Sequence, residues 1–333
     1  MSLIAQPIQI GHLMLRNRIV MTAVDRSLAD EDGEVTDAML DHYTKILAAG
    51  PCGLCITEHA YVRRDGLTHS SQLAASDDGC IEGLSRLAEC CHATETPVLL
   101  RLSHAGSMAD PTEVPEPVAP SPVFNPFFPS AGRTLPHELT ELEIERLIIR
   151  FLNAAVRAKK AGFDGVELHC GHGYLLNEFY SPLTNKRVDQ FGPASIMSRM
   201  RALLETVYYI RSVIGSDFIV SVCLGASDYA FGGSTIEDAA EAARSLHGAG
   251  VDVICVSGGL RGNSRPDTDQ AGWFSDASTA VREQSSVPVI LKGGIRTAAD
   301  ARRLLGDGAC DLVGVGRTLE RHLDWANKAL VEE

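Results

Sequence analysis

Eight short apolar runs, each followed by a stretch with helical spacing, recur from one end of this chain to the other. No other feature narrows its folding options as much. The runs fall at 18–23, 53–59, 98–103, 165–169, 218–224, 251–256, 287–291 and 312–315. Between them, apolar residues at three- and four-residue spacing predict helices at 37–49, 81–93, 141–161, 196–214, 236–248, 275–284 and 298–305, with a last helix from Arg321. Strands that alternate with helices pair in parallel, because parallel neighbours need a crossover between them. Eight such units are the count of a closed (β/α)8 TIM barrel. Doubly wound sheets usually have fewer strands, and no dinucleotide-binding glycine fingerprint follows the first run. A chain of 333 residues suits one such α/β domain over 1–333, and no repeat or low-complexity linker divides it. Ahead of the first run, PIQIGHLMLRN alternates weakly around Gly11-His12 and reads as a β-hairpin capping the barrel bottom.

Composition removes several function classes. A net charge of −13 argues against nucleic-acid and anionic-membrane surfaces, and there is no long apolar run or signal-peptide pattern. A cytoplasmic protein acting on a small molecule is the expectation. The nine cysteines are scattered, as in a reducing compartment. Cys52 and Cys55 form a C-x-x-C, but Cys55 sits inside an apolar run and no second pair stands at zinc-like spacing. No metal is expected. One segment breaks the alternation. Residues 108–135, rich in proline and aromatics, are too long for an ordinary connection and follow the third strand. They are expected to lie over the active-site face as a lid or pocket wall, or else to serve an oligomer contact.

In parallel barrels the C-terminal strand ends carry the chemistry. The fourth run ends in His169, His172 and Tyr174, so two ring N–H donors and a phenol stand within six residues. They could hold a substrate oxygen and deliver a proton, or be loop histidines beside a packed tyrosine. At the sixth, seventh and eighth strand ends stand Ser257-Gly258-Gly259, Lys292-Gly293-Gly294 and Gly316-Arg317. Glycines there let backbone N–H groups approach a phosphate, and Arg317 can add a charge-assisted contact. His59 ends the second strand, where strict alternation puts it with Thr57 on one face and Glu58 on the other.

The run GVELHCGHGYLLNEFYSPLTNKRVDQFG, with PIQIGHLMLRNRIVM near the start and DLVGVGR near the end, resembles the Old Yellow Enzyme family of FMN-dependent ene-reductases and NAD(P)H:flavin oxidoreductases. The resemblance spans nearly the whole chain. It implies non-covalent FMN, reduced by NADH or NADPH, with the phosphate on Gly293, Gly294, Gly316 and Arg317. It also implies reduction of an enone-type C=C bond, with His169 and His172 holding the carbonyl oxygen and Tyr174 giving the proton. Relatives also oxidise amines, reduce nitro groups or desaturate substrates, and a flavin-free barrel enzyme for a phosphate ligand is a further alternative. Family members often form dimers or tetramers, so a homo-oligomer is possible. Larger relatives add an iron–sulfur cluster and a second flavin domain, neither of which is expected here.

Four positions stand out against that pattern. Thr22 and Ala23 fit as ring-edge contacts, but Asp25 puts a carboxylate near the ring, either paired with Arg26 or turned away. His59 is either a contact to the flavin rim or a hydrogen-bonded barrel histidine. Arg101 stands where the family has Gln, and Cys223 where it has a basic residue that stabilises negative charge on reduced flavin. Strands three and five are both odd-numbered and share a layer, so Arg101 is expected to replace the cation missing at Cys223.

Overall fold

A computed structural model describes residues 2–263, 265 and 267–331. The expected alternation closes into a barrel of eight parallel strands. These are β1 (Ile19–Met21), β2 (Leu54–Tyr61), β3 (Val98–Ser103), β4 (Gly165–Cys170), β5 (Ile219–Ser227), β6 (Val253–Gly258), β7 (Val289–Lys292) and β8 (Leu312–Val315). Each pairs with the next in sequence, and β8 returns to β1. The covering helices are α1 (Asp37–Ala49), α2 (Ile81–His92), α3 (Glu141–Lys160), α4 (Arg201–Ile214), α5 (Ile236–Ala249), α6 (Ser275–Gln284), α7 (Ala298–Gly306) and α8 (Trp325–Val331).

Local sequence explains where several of these helices start. Thr140 with Glu143, Thr235 with Asp238 and Thr297 with Asp300 form reciprocal capping boxes at α3, α5 and α7. The helix expected over 196–214 is interrupted at Met200, whose ψ of −3° ends a short turn at Ile196–Arg199 before α4 begins. The last expected helix is likewise two pieces, Arg317–Arg321 and α8. Among the described residues no helix is long and apolar enough to cross a membrane.

The barrel interior is graded from bottom to top. Ile8–Ile10 and Leu13–Leu15 pair as the expected hairpin, and Ile10 and Leu15 join Val20, Leu54, Leu99 and Ile219 in one apolar cluster. Above it the interior becomes polar and then charged, and it opens at the C-terminal strand ends. That gradient places the site.

β2 departs from simple alternation. Ile56 pairs with Leu99 and His59 with Arg101, so β2 holds one more residue than β3 between those pairs. Ile56 belongs to the interior cluster and His59 lines the open end, so the bulge turns both inward. The face expected to hold Thr57 with His59 is therefore replaced by one holding Ile56 with His59.

The segment 108–135 takes a different role from the one expected. It does not line the cavity at the strand ends. Instead it braces the loop after β6: Asn125 Nδ2 donates to Leu260 O at 3.0 Å, and the Arg261 guanidinium lies 4.0 Å over the Phe127 ring. The SPLTNKR run holds this segment from beneath. Lys186 N donates to Ser121 Oγ (2.9 Å) and Arg187 Nη1 to Pro120 O (2.9 Å), while Asn185 Nδ2 ties the run to its own flanks through the carbonyls of Phe179 and Phe191. The most distinctive stretch of sequence is thus scaffold rather than reaction centre.

Candidate active site

A cavity of about 690 Å³ opens at the C-terminal end of the barrel, a size that suits a cofactor and a small substrate. Twelve of the fourteen residues singled out from sequence line it: Thr22, Ala23, Asp25, His59, Arg101, His169, His172, Tyr174, Gly293, Gly294, Gly316 and Arg317. Gly258 and Gly259 do not. A Cβ on Gly258 would stand 2.1 Å from Gly262 O, and one on Gly259 2.4 Å from Asp228 Oδ1. These glycines allow backbone to pack closely around the loop after β6.

His169 ends β4 and His172 sits in the following turn with φ +60°, a left-handed conformation uncommon outside glycine. The turn is over-determined: His172 N donates to Gly258 O (3.1 Å), Gly173 N to Asn177 Oδ1 (2.9 Å) and Leu175 N to His104 O (3.0 Å). The result brings His169 Nε2 within 3.2 Å of His172 Nδ1 and His172 Nε2 within 2.7 Å of Ser257 Oγ. If the serine hydroxyl donates to Nε2, Nδ1–H of His172 faces the cavity beside His169 Nε2. Burial, reinforced by Arg101 and Lys292, pulls both imidazoles well below their ordinary pKa. Both are neutral at physiological pH. The Tyr174 ring packs against them, 4.7 Å from the His169 centroid and 5.4 Å from that of His59. Burial and then the Asp25 carboxylate push its phenol above the ordinary value, so it holds its proton.

Asp25 is paired, but not with Arg26, which reaches Glu320 at 3.8 Å. Its Oδ2 receives His69 Nε2 at 2.6 Å and His59 Nε2 at 3.3 Å, and its Oδ1 accepts from Ser27 N. Burial works to raise the carboxyl pKa, but the His59 and His69 hydrogen bonds outweigh it and hold the group well below the usual carboxylate range. His59 is fixed from behind. Thr68 N donates to Gln72 Oε1 (2.7 Å), which turns the Gln72 amide so that Nε2 donates to His59 Nδ1 (2.7 Å). With Nδ1 accepting, the ring proton lies on Nε2, toward Asp25. His59 is therefore both a hydrogen-bonded barrel histidine and a wall of the cavity. His69 and Gln72 lie on the loop after β2, beyond the strand ends that sequence alone marks.

The opposite end of the cavity suits a phosphate. Gly293 and Gly294 have φ of +119° and +65°, and a Cβ on Gly294 would stand 2.5 Å from the Trp273 indole nitrogen. That indole N–H is buried, lines the cavity and has no hydrogen-bond partner. Arg296 and Arg317 line the same end with exposed heads. An unpartnered donor, a glycine cradle and two cations fit the phosphate of a mononucleotide.

Between the two ends lies a buried charged layer. Arg101 Nε donates to Glu167 Oε1 at 2.6 Å, the two form a salt bridge, and Glu167 Oε2 accepts from Ser221 Oγ at 3.1 Å. The cation in contact with Cys223 is Lys292, whose Nζ lies 3.4 Å from Cys223 Sγ, while Arg101 pairs with Glu167. Sequence reasoning passed over Lys292, Trp273 and Ser257 as site residues. The signal for Lys292 was its parity: Ile290 faces the interior, so a two-residue period turns Lys292 inward as well. Trp273 carried none, because it lies in an irregular connection. Among the described residues no group of His, Cys, Asp and Glu could hold a metal ion.

Comparison with known proteins supplies the rest. Residues 4–332 match the NADH:flavin oxidoreductase / NADH oxidase family. The chain is 39% identical over 328 residues to the NADH oxidase of Thermoanaerobacter brockii, covering 96% of this chain and 50% of that protein. It is 36% identical over 335 residues to a metal reductase of Desulforamulus reducens, covering 99% of this chain and 49% of that one. It thus spans about half the length of these curated relatives. Its fold is similar to that of the Old Yellow Enzyme homologue from Zymomonas mobilis, with a TM-score of 0.83 at 24% identity over 98% of this chain and 91% of the other.

Proposed function

The chain belongs to the NADH:flavin oxidoreductase / NADH oxidase family, and from that premise we propose that it reduces the electron-poor C=C bond of a small enone-type substrate at the cavity above β4. It is an FMN-dependent oxidoreductase with NADH or NADPH as reductant. When bound, FMN carries the hydride between nicotinamide and acceptor.

The observation that carries the reading is the convergence of neutral His169 and His172 nitrogens, 3.2 Å apart, beside a protonated Tyr174. Two neutral N–H donors at one point suit a carbonyl oxygen, because they stabilise the charge that develops there without losing a proton themselves. Tyr174 stands alongside to protonate the adjacent carbon. The Gln72–His59–Asp25 chain holds the facing wall in one hydrogen-bonding state, so the substrate meets a preorganised surface. Arg317, Arg296 and Trp273 would hold the cofactor phosphate.

The test separates the two half-reactions. NADH or NADPH should bleach the anaerobic holoprotein, and an enone such as cyclohexenone should restore its colour. Tyr174→Phe should leave the bleaching rate within about twofold and slow the enone step by about 10²–10⁴-fold, the usual weight of a general acid. Bleaching that dioxygen or a metal ion reverses and enones do not would overturn the enone reading and leave the flavin chemistry in place.

A further inference from the structure

At the centre of the barrel one buried cation is answered by a carboxylate and the other is not. Arg101, from β3, is neutralised by Glu167. Lys292, from β7, is 9% exposed, and its ammonium has as its hydrogen-bond partner, among the described residues, the Cys223 sulfur from β5. Among the described residues no carboxylate comes within ion-pair distance of it. A buried ammonium with no carboxylate beside it is costly unless a thiolate or a ligand in its cavity carries the opposite charge.

We infer that Lys292, held by the Cys223 sulfur, supplies the positive charge that stabilises the anionic form of the bound flavin ring. The inference rests on FMN occupying this cavity. Three observations place the charge. Arg101, Cys223 and Lys292 all project from odd-numbered strands, and Arg101 and Lys292 both line the cavity. Gly314 makes room for the lysine, since a Cβ there would stand 3.0 Å from Lys292 Cβ and 2.6 Å from Thr22 Cγ2. The ammonium is also near enough to His169 and His172 to lower the basicity of both, so it faces the same space as the substrate donors.

The chemistry of the partner fits a cation whose counter-ion arrives with the ligand. A hydrogen bond from Cys255 first, then Lys292 and Arg101, overcome burial and bring the Cys223 thiol down to about 6. A carboxylate in that position would cancel the ammonium permanently, as Glu167 does for Arg101. A sulfur can carry the counter-charge while the cavity lacks an anion and take up a proton when one is present. The arrangement also answers the departure at strand five. The basic residue missing there is replaced across the barrel from strand seven, with a small side chain at 223 leaving the space that the longer Lys292 side chain enters.

The experiment compares flavin-loaded wild type with Lys292→Met, Lys292→Arg and Cys223→Ser, reading the midpoint potential of bound FMN and the dissociation constants of its oxidised and reduced forms. Lys292→Met should weaken the reduced form relative to the oxidised form by about 10- to 100-fold, a fall of about 30–60 mV at about 30 mV per tenfold for a two-electron couple. Lys292→Arg should restore most of that difference, and Cys223→Ser, which removes a sulfur that can share the lysine's charge, should give a smaller shift of opposite sign. If Lys292→Met is purified without flavin, titrating its apoprotein with each form of FMN still yields the ratio. A Lys292→Met protein with the wild-type ratio overturns the assignment while leaving the enzyme reading intact. A wild-type protein that takes up no FMN overturns that reading itself.

Discussion

At the scale of single residues, Asp25 shows how hydrogen bonds fix a charge in place. Hydrogen-bonded to His59 and His69, it anchors the cavity wall as a carboxylate. Its pKa is depressed in the folded state, so its contribution to stability is present above the unfolded carboxyl value, about 3.9, and is lost as pH falls through the folded value. Asp25→Asn should therefore melt at a lower temperature than wild type at pH 7. Below about pH 4 that gap should narrow, and thermal melts across pH 3–7 check it. In His169 and His172 the cause is different, since burial rather than pairing lowers the pKa and keeps them neutral.

At the scale of elements, two irregularities decide what the regular parts present. The extra residue in β2 turns His59 into the cavity beside Arg101, and no reading by alternation anticipates a bulge. The Gly293-Gly294 turn after β7 needs left-handed backbone at both positions and sits against Trp273 and Phe274. Gly294→Ala adds a methyl where the indole already stands, in a conformation that alanine disfavours. It should raise the FMN dissociation constant at least about tenfold, a cost of about 1.4 kcal/mol, with little change in far-ultraviolet circular dichroism. Titration of the apoprotein with FMN measures it.

At the scale of the whole molecule, the barrel carries a buried ion pair across the seam of β3, β4 and β5. Removing one partner strands the other in a dry interior. Arg101→Met should destabilise the fold by about 3–5 kcal/mol, whereas Arg101→Met with Glu167→Leu should regain most of that loss, and denaturant unfolding distinguishes the two. The same pair means that Arg101 is not a free cation: its charge still bears on His169 and His172 but is answered by Glu167. The curated relatives are about twice the length of this chain, so these predictions concern the barrel.

The sequence by itself determined the eightfold strand–helix alternation, the hairpin beneath it, the strand-end histidines and Tyr174, and the glycines after β7 and β8. All of these are set by local periodicity, by backbone freedom or by a contiguous motif, and a linear string displays such signals directly. Only the tertiary structure decided which charges meet. Asp25 found His59 and His69 rather than Arg26, Arg101 found Glu167, and Lys292 reached Cys223 from 69 residues away. Residues 108–135 came to brace the loop after β6 rather than wall the cavity, and Gly258 and Gly259 served packing. Pairings of this kind depend on strand register and on barrel closure, and a single residue of bulge changes which side chain faces inward. Electrostatic partners are distances in space, and only the closed barrel sets those distances.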